Sequence, residues 1–455
     1  MTEENKLNSG QWLVLAAAFL GWMFDGVEMG LFPLIARPAL QDLLGVSGDA
    51  QVGLWNGRLV AAFMLGAAFG GLLFGWIGDK LGRVRGMALS ILVYSLFTGV
   101  CYFVATPTQL FIFRFIAALG MGGQWALAVA LVMECWPERH RPKLAGIIGA
   151  AANFGFLLIS IVGGIFPVTL DTWRYMMLAG ALPGVLALLI IFFVPESQRW
   201  KASVSDHRSK PLREVFTPPL LKKTLLGIVF SSVPLIATWA AVSGWTPLWT
   251  EQIRQMEVAQ QHLSVEHKQQ IDAATTFDGK SEIMKNSLTE EQWKSVQMES
   301  ATAKGWAQLM ISIGAIIGCF FGSMLGHRLG RRPAYFLLCV LSLVICGYLY
   351  TMLDSFNLQF IIIVGLAGTV SAAFYGWAPL YLPELFPTRV RATGQGVAFN
   401  FGRILTAAGA IVTGMLLSAS NGDYAKACTI IILVYFIGMV AIWFGPETKG
   451  KPLPD

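Results

Sequence analysis

The chain reads as long apolar runs set apart by short polar joints. Twelve runs stand out, at 12–36, 53–78, 87–106, 109–134, 144–168, 175–194, 224–249, 305–325, 334–353, 358–382, 395–418 and 427–445. A helix of roughly 20 apolar residues crosses the hydrocarbon of a bilayer, so the pattern predicts twelve membrane-spanning helices. A polar joint at 195–223 divides them six and six, and a second polar stretch, 251–304, separates the seventh from the eighth. The expected architecture is an all-α membrane protein. A six-helix bundle over 1–194 is joined by a central loop, 195–223, to a second bundle over 224–455, which carries an extended loop at 251–304.

Composition agrees with that pattern. Of the 455 residues 55% are hydrophobic and 13% charged, against about 25% charged in soluble domains. A soluble enzyme, a nuclear protein and a disordered scaffold are thereby excluded. The net charge of +6 sits in the joints rather than in a nucleic-acid-binding patch. With the N-terminus inside, 21 of the 33 Lys and Arg fall on the cytoplasmic side and 9 outside, 6 of the 9 in 251–304; Arg58, Arg114 and Arg403 remain within spans. For short loops the split is 21 to 3, which orients the chain with both termini cytoplasmic in the cytoplasmic (inner) membrane. The long loop has 9 acidic and 6 basic residues and is expected outside, because long loops cross largely regardless of charge. Within it, LTEEQWKSVQMES predicts a short amphipathic helix capped by Thr289 and Gln292, either a solvated decoration or a lid or docking element. The N-terminal MTEENKLNSG lacks the basic segment of a cleaved leader, so the first span is expected to stay. The six cysteines lie in or beside apolar runs and read as free thiols, not as a disulfide set or a metal site. No cofactor or metal is expected, and a monomer suffices.

The two halves repeat. GDKLGR at 78–83 matches GHRLGR at 326–331, ECWPERHR at 134–141 matches ELFPTRVR at 384–391, and PES at 195–197 matches PET at 446–448, at offsets of 248, 250 and 251. Three ordered matches at nearly one offset indicate two bundles of like topology, related by an axis along the membrane normal. Secondary transporters are built this way, with a central site between the halves.

These residues resemble a known family over nearly the whole length outside 251–304. GWIGDKLGRVR at 75–85 is similar to the signature of the major facilitator superfamily, with the basic run broken by Val84 and with His327 in the second copy where the first has Asp79. Within that superfamily the chain resembles the proton-coupled organic-acid symporters: the aromatic-acid, sialate and related monocarboxylate carriers. DGVE at 25–28, RFIAALGMGG at 114–123, Glu134, and RATGQGVAFNFGR at 391–403 carry this likeness; the PES, PET and RATG elements are shared with sugar porters.

Ionisable groups inside spans are costly and mark function. Asp25 and Glu28 are three residues apart in span 1, on one helical face. Asp25 lies about 20 Å along that helix, in its central-to-outer half. Burial raises a carboxylate's pKa and a neighbouring arginine lowers it, so either acid is a candidate for proton coupling, or the two hold a structural ion pair. Arg114, opening span 4, is their natural partner or a second anion ligand. Arg403 has no acidic neighbour within a turn and is the leading candidate for a substrate carboxylate, by bidentate hydrogen bonding; pairing with an acid from span 1 is the alternative. Arg58, near the start of span 2, is expected to snorkel to the interface.

Trp22, Trp125, Trp239, Trp245, Tyr375 and Trp377 could wall a cavity, with Gln124, Asn153 and Asn400 adding polar contacts. The resemblance, which places spans 4 and 10 on the cavity, favours Trp125 and Tyr375. Gly-rich runs such as GAAFGGLLFG at 66–75 allow close helix approach and are not phosphate loops. Asp79, Arg83, Glu134, Arg139, Arg331, Glu384 and Arg389 cluster in the repeated cytoplasmic motifs, where Asp79 could accept from backbone N–H groups at a helix start or pair with an arginine. They read as a gate that locks the inner face, or else as plain topology charge. The expected function is alternating-access, proton-coupled symport of a small organic anion, a monocarboxylate first. A sugar or neutral-solute porter is the alternative, and a non-transporting sensor a distant third.

Overall fold

The structure, a computed structural model, describes residues 7–45, 49–166, 168–206, 210–274, 276–420 and 422–454. The described residues form helices and connecting turns, without strands. The first half contains α1 (Ser9–Leu44), α2 (Asp49–Leu81), α3 (Arg83–Val100), α4 (Pro107–Cys135), α5 (Arg141–Ile165), α6 (Trp173–Ala179) and α7 (Pro183–Phe193). The central loop holds α8 (Gln198–Asp206) and α9 (Pro211–Val215). The second half contains α10 (Leu220–Ile236), α11 (Thr246–His262), α12 (Val265–Ala273), α13 (Phe277–Ser287), α14 (Glu290–Leu329), α15 (Arg331–Met352), α16 (Leu358–Leu385), α17 (Arg391–Ala419), α18 (Tyr424–Ile431) and α19 (Val434–Ala441).

Eleven stretches of the described residues are helical, long and apolar enough to cross a membrane. α17, with 29 residues, stands where the eleventh apolar run predicts a span and is about 43 Å long at 1.5 Å per residue. Three spans are not the single helices the apolar runs suggest. Span 6 is α6 followed by α7, and span 12 is α18 followed by α19 and a 3-10 turn. Span 7 passes from α10 through a π-helical turn, Ala237–Val242, before α11 begins.

Helix starts follow local chemistry. Asn8 caps α1 in a reciprocal box with Gln11, Thr106 caps α4 ahead of Pro107, and Asn357 caps α16; each side-chain oxygen takes an otherwise orphaned N–H. The two LGR turns need their glycines, because Gly82 and Gly330 have φ of 109° and 106°, a conformation that side chains with a Cβ avoid. Close packing depends on small residues. Gly314, Gly318 and Gly322 of α14 face the carbonyls of Gly365, Thr369 and Ala373 of α16, where a Cβ would clash. In the first half Gly70 of α2 similarly abuts the Leu119 carbonyl of α4.

Each half packs mainly within itself: α2 and α3 on α4, α1 on α5, α14 on α16, α10 on α17. The halves meet chiefly along α2 with α17 and α5 with α14. Both termini lie on one face. Trp136 at the end of α4 donates to the Gln11 carbonyl, 2.9 Å, and Thr388, just before α17, donates its N–H to Pro454, 3.2 Å.

On the opposite face, 251–304 is a helical cap rather than a loop. Thr289 does cap a helix in a box with Gln292, but that helix is not short. It continues into span 8 as the 40-residue α14, about 60 Å long and roughly twice the hydrocarbon thickness. Its projecting end packs with α11, α12 and α13 around a small core that includes Val258, Leu263, Ile271, Met284 and Val296. The six cysteines are free, as their apolar surroundings predict.

Candidate functional site

A cavity of about 440 Å³ lies between the halves, lined from α1, α5, α10, the π-helical turn, α14, α16 and α17. It occupies the region from mid-membrane toward the face opposite the termini. Its wall is largely aromatic: Trp22, Phe156, Trp239, Tyr375 and Phe399. Phe156 meets Trp239 edge-on at 6.1 Å, and Trp22 and Tyr375 meet Phe399 edge-on at 6.2 and 6.4 Å. Among the described residues, Arg403 is the one charged side chain on this wall. It is 4% exposed, and its Nη1 has no hydrogen-bond partner among the described residues. Asn153 and Tyr375, both expected here, line the cavity as well.

Asp25 sits just behind the wall, between Trp22 and Met29 along α1. It is 0% exposed, and neither carboxylate oxygen has a hydrogen-bond partner among the described residues. Its nearest charges are Arg403, across on α17, and Glu28 on its own helix. Glu28 is differently placed. Its Oε1 accepts from Arg114 Nη1 and from the Thr98 hydroxyl, 2.9 Å. The two acids of one helical face therefore have separate surroundings: Glu28 is tied to α3 and α4, while Asp25 is untied and faces the second half.

Several expected substrate contacts lie off the cavity. Arg114 is occupied by Glu28 and stands over the rings of Phe32 and Phe63. Trp125 is stacked beneath Phe399, 3.9 Å away at 11°, so it fixes the ring that forms the wall instead of forming it. Gln124 is buried against Gly21 of α1. Asn400 spans the halves, donating to the carbonyls of Gly122, 2.8 Å, and Gly396, 3.1 Å. Trp245 packs edge-on against Tyr424, and Trp377 donates to the Arg331 carbonyl, 2.9 Å. Arg58 is exposed over Trp55. Arg58 apart, each of these residues has packed surroundings, which apolar content alone does not reveal.

The terminal face is closed by buried charge. Arg83 donates to Asp79, 2.6 Å, to Glu134, 3.1 Å, and across the halves to the Thr388 carbonyl, 2.6 Å. Glu134 also accepts from Arg391 of the second half, 2.9 Å, and from Ser197, 2.6 Å. Asp79 reaches over to cap α17, accepting from the N–H groups of Ala392, 3.1 Å, and Thr393, 2.8 Å, and from the Thr393 hydroxyl, 2.5 Å. In the second half Arg331 donates to both oxygens of Glu384, at 2.9 and 2.6 Å, and Thr448 takes the place of Ser197 at 2.5 Å. Two expected members stand elsewhere. Arg389 pairs with Glu214 of the central loop, 2.9 Å, rather than with Glu384. Arg139 is exposed and contacts His140, 3.1 Å, since the turn after α4 carries it away from Glu134.

The PES and PET repeats contribute the next layer. Glu196 accepts from the N–H groups of Arg83 and Val84, both 3.1 Å, and Glu447 from those of Arg331, 2.9 Å, and Arg332, 3.0 Å. The acids thus cap α3 and α15. Burial pushes the Glu196 carboxyl up, against its backbone hydrogen bonds and the nearby Arg83 charge. Burial also pushes on Glu447, but N–H groups of Arg331, Arg332, Lys449 and Thr448 outweigh it and hold the carboxyl below the usual range.

The lock is one-sided. The counterpart of Asp79 is His327, which is exposed, and the counterpart of Ala392 at the start of α5 is Pro142, which has no N–H to give. The acceptor and one of its two backbone N–H donors are therefore missing in the second copy, where Lys143 stands for Thr393.

The sequence model of the Major Facilitator Superfamily matches residues 12–265 and 285–455. The chain belongs to that superfamily. It is 27% identical to an inner membrane metabolite transport protein of Escherichia coli, YgcS, over 90% of this chain and 89% of the other. It is 25% identical to the niacin transporter NiaP of Acinetobacter baylyi, over 95% and 93%. It is 24% identical to the cis,cis-muconate transport protein of the same organism, over 99% and 98%. Among solved structures, the proton:xylose symporter XylE aligns with a TM-score of 0.70 at 18% identity, covering 98% of each chain; that likeness concerns the fold. The chain is accordingly a multi-pass membrane transporter of this superfamily, not an enzyme.

Sequence reasoning overlooked Phe156 and Phe399 in the cavity, and Arg391, Thr393, Ser197, Thr448, Glu196 and Glu447 in the lock. The last four lie in or beside PES and PET, whose repetition was the available signal; phenylalanines are too common in spans to stand out.

Proposed function

We propose that this superfamily member is a proton-coupled symporter of a small organic anion, working by alternating access. The observation that carries the reading is Arg403, a nearly buried guanidinium with an unpartnered Nη1 on the wall of an otherwise uncharged cavity. Such a cation is costly unless an anion joins it, and a carboxylate is the complementary guest. The relatives named for niacin and muconate support an organic acid.

In this reading Asp25 is the proton carrier. While ionised it offsets Arg403, and a substrate carboxylate would then leave an excess negative charge in a dry site. Once Asp25 takes a proton, substrate and Arg403 neutralise one another, and the halves can close around them. One proton then accompanies each monoanion. Glu28 with Arg114 holds span 1 to its bundle. The halves, 1–194 and 224–455, move against each other, and the lock around Asp79, Glu134 and Arg391 opens as the cavity closes. The excess of Lys and Arg on the terminal face supports both termini being cytoplasmic.

The test is uptake of labelled organic acids into vesicles under an imposed acid-outside gradient. Accumulation that requires the gradient, and loses most of its affinity in Arg403→Gln, is expected. Uptake of a neutral sugar unaffected by Arg403→Gln would instead establish a neutral-solute porter.

A further inference from the structure

Resting on the reading of Asp25 as the proton carrier, we infer that Tyr94 is the positioning residue of that proton site: its hydroxyl is the hydrogen-bond donor that the first bundle supplies to the Asp25 carboxylate, and it sets the pH at which Asp25 takes up its proton.

The register of α3 on α1 places the two residues opposite one another. Ile91 of α3 stands against Gly21 of α1. Seven residues on along both helices, the Thr98 hydroxyl donates to Glu28, 2.9 Å. The two helices therefore run parallel and in step. Between these contacts lie Asp25, four residues beyond Gly21, and Tyr94, three beyond Ile91. At 1.5 Å per residue their levels differ by about 1.5 Å. Both are 0% exposed. The Tyr94 backbone is fixed from the other side, because Gly120 of α4 lies so close that a Cβ there would clash with it. The carboxylates whose charge acts on the phenol are those of Asp25 and Glu28.

Both groups lack the partners that burial demands. Among the described residues, neither oxygen of Asp25 has a hydrogen-bond partner, and nor has the Tyr94 Oη. A phenylalanine would fill the same space, and a buried hydroxyl left unmatched is expensive. A phenol that faces an unmatched carboxylate has its acceptor at hand. The unmatched second oxygen of Glu28 is turned toward Gly180, past the end of α6. Gln124 of α4 also lacks partners, but its amide lies against Gly21, one turn of α1 nearer the terminal face.

The surrounding charges explain what such a donor does. Arg403 acts on Asp25 from α17, and Tyr375 of α16 acts on Arg403; both belong to the second half. Arg114 of α4 is taken by Glu28. Of the other helices packed on α1, α7 has no titratable residue, α5 has them only in its first turn, and those of α2 and α6 stand toward the two membrane faces. When the halves move, or a substrate carboxylate takes Arg403, Asp25 loses that cation. Tyr94 rides on the same bundle as Asp25 and stays beside it. A donor to a carboxylate favours the ionised form, so the phenol lets Asp25 release its proton after Arg403 has turned away.

The experiment is an infrared pH titration of the purified protein in liposomes, reading the carbonyl stretch of protonated carboxyl groups. The component lost in Asp25→Asn belongs to Asp25. In Tyr94→Phe its midpoint is expected to move toward alkaline pH by about one unit, the order that one hydrogen bond to a charged group commands, and its frequency to rise as the carboxyl loses a partner. Gln124→Leu should leave the midpoint in place. A midpoint that stays put or moves toward acid in Tyr94→Phe, or that Gln124→Leu moves equally, overturns the inference and leaves Asp25 standing as the proton carrier. If no titrating component is lost in Asp25→Asn, the proton-carrier reading falls and the inference with it. Should Tyr94→Phe not fold, protein made with ring-labelled tyrosine and carrying Tyr375→Phe decides. A tyrosine signal should then change at the Asp25 midpoint and cease to do so once Asp25→Asn is added; tyrosine signals indifferent to that titration overturn the inference.

Discussion

Asp25 and Glu28 differ by three positions and by almost everything else. Glu28 has Arg114 and Thr98 as partners, whereas Asp25 has no hydrogen bond among the described residues. Glu28→Gln leaves Arg114 buried opposite a neutral group, and breaking a buried pair from one side costs about 3–5 kcal/mol. Asp25→Asn removes no hydrogen bond seen in the structure. Thermal unfolding in detergent should therefore fall further for Glu28→Gln, which also breaks hydrogen bonds, than for Asp25→Asn, while gradient-driven uptake is lost in Asp25→Asn. The reverse ranking would assign the structural task to Asp25.

Glu447 offers a pH test at the same scale. Its carboxyl is held below the usual range, so the folded state favours its ionised form. The stability it contributes is full above the ordinary glutamate pKa of about 4.3 and fades as pH falls through the lower folded value. Glu447→Gln should accordingly lower the melting temperature at pH 7, and the difference from wild type should shrink toward pH 4. Glu196, whose folded carboxyl is pushed up, has the opposite sign: its ionisation opposes folding once pH exceeds the unfolded value. Glu196→Gln should then be the milder variant at pH 7. Equal losses at both positions would mean that the two caps are energetically alike.

At the scale of elements, the lock depends on where helices begin. Asp79 of α2 supplies to α17 the acceptor that an N-cap residue of its own would supply. Asp79→Ala removes a cap and a buried charge, and cap loss alone costs about 0.5–2 kcal/mol. Because this contact joins the halves, the loss shifts the balance between conformations as well as the folding equilibrium. A cysteine introduced beneath the lock should become more reactive to a small thiol reagent in Asp79→Ala. His327→Ala should change nothing, since its side chain is exposed. Unchanged reactivity in Asp79→Ala would deny the contact a gating task.

For the whole molecule, orientation in the bilayer sets the side to which the cavity opens. The cap at 251–304 and the termini lie on opposite faces, and loop charge predicts the termini inside. The native cysteines are buried or partly buried, which keeps background labelling low. Met298 and Lys451 are exposed. Met298→Cys should react with an impermeant maleimide in intact cells, and Lys451→Cys only after permeabilisation. The opposite pattern inverts the orientation and, with it, the direction in which the cavity faces.

The twelve predicted spans, the two-fold repeat and the short list of intramembrane charges needed no structure, because crossing a bilayer demands about 20 apolar residues and penalises each ion inside it. Those demands act locally and leave their mark in a single strand of text. Which side of a span meets the cavity is not local. Trp125 and Trp22 are equally apolar in sequence, yet one lies beneath Phe399 and the other on the wall. Asp25 and Glu28 share a helical face, yet only one has an arginine within hydrogen-bonding reach. The sequence by itself determined the membrane class, the repeat and the charges that matter. The tertiary structure decided which of them face one another, because pairing depends on how helices distant in sequence are rotated and stacked, which glycines and caps permit but do not spell out.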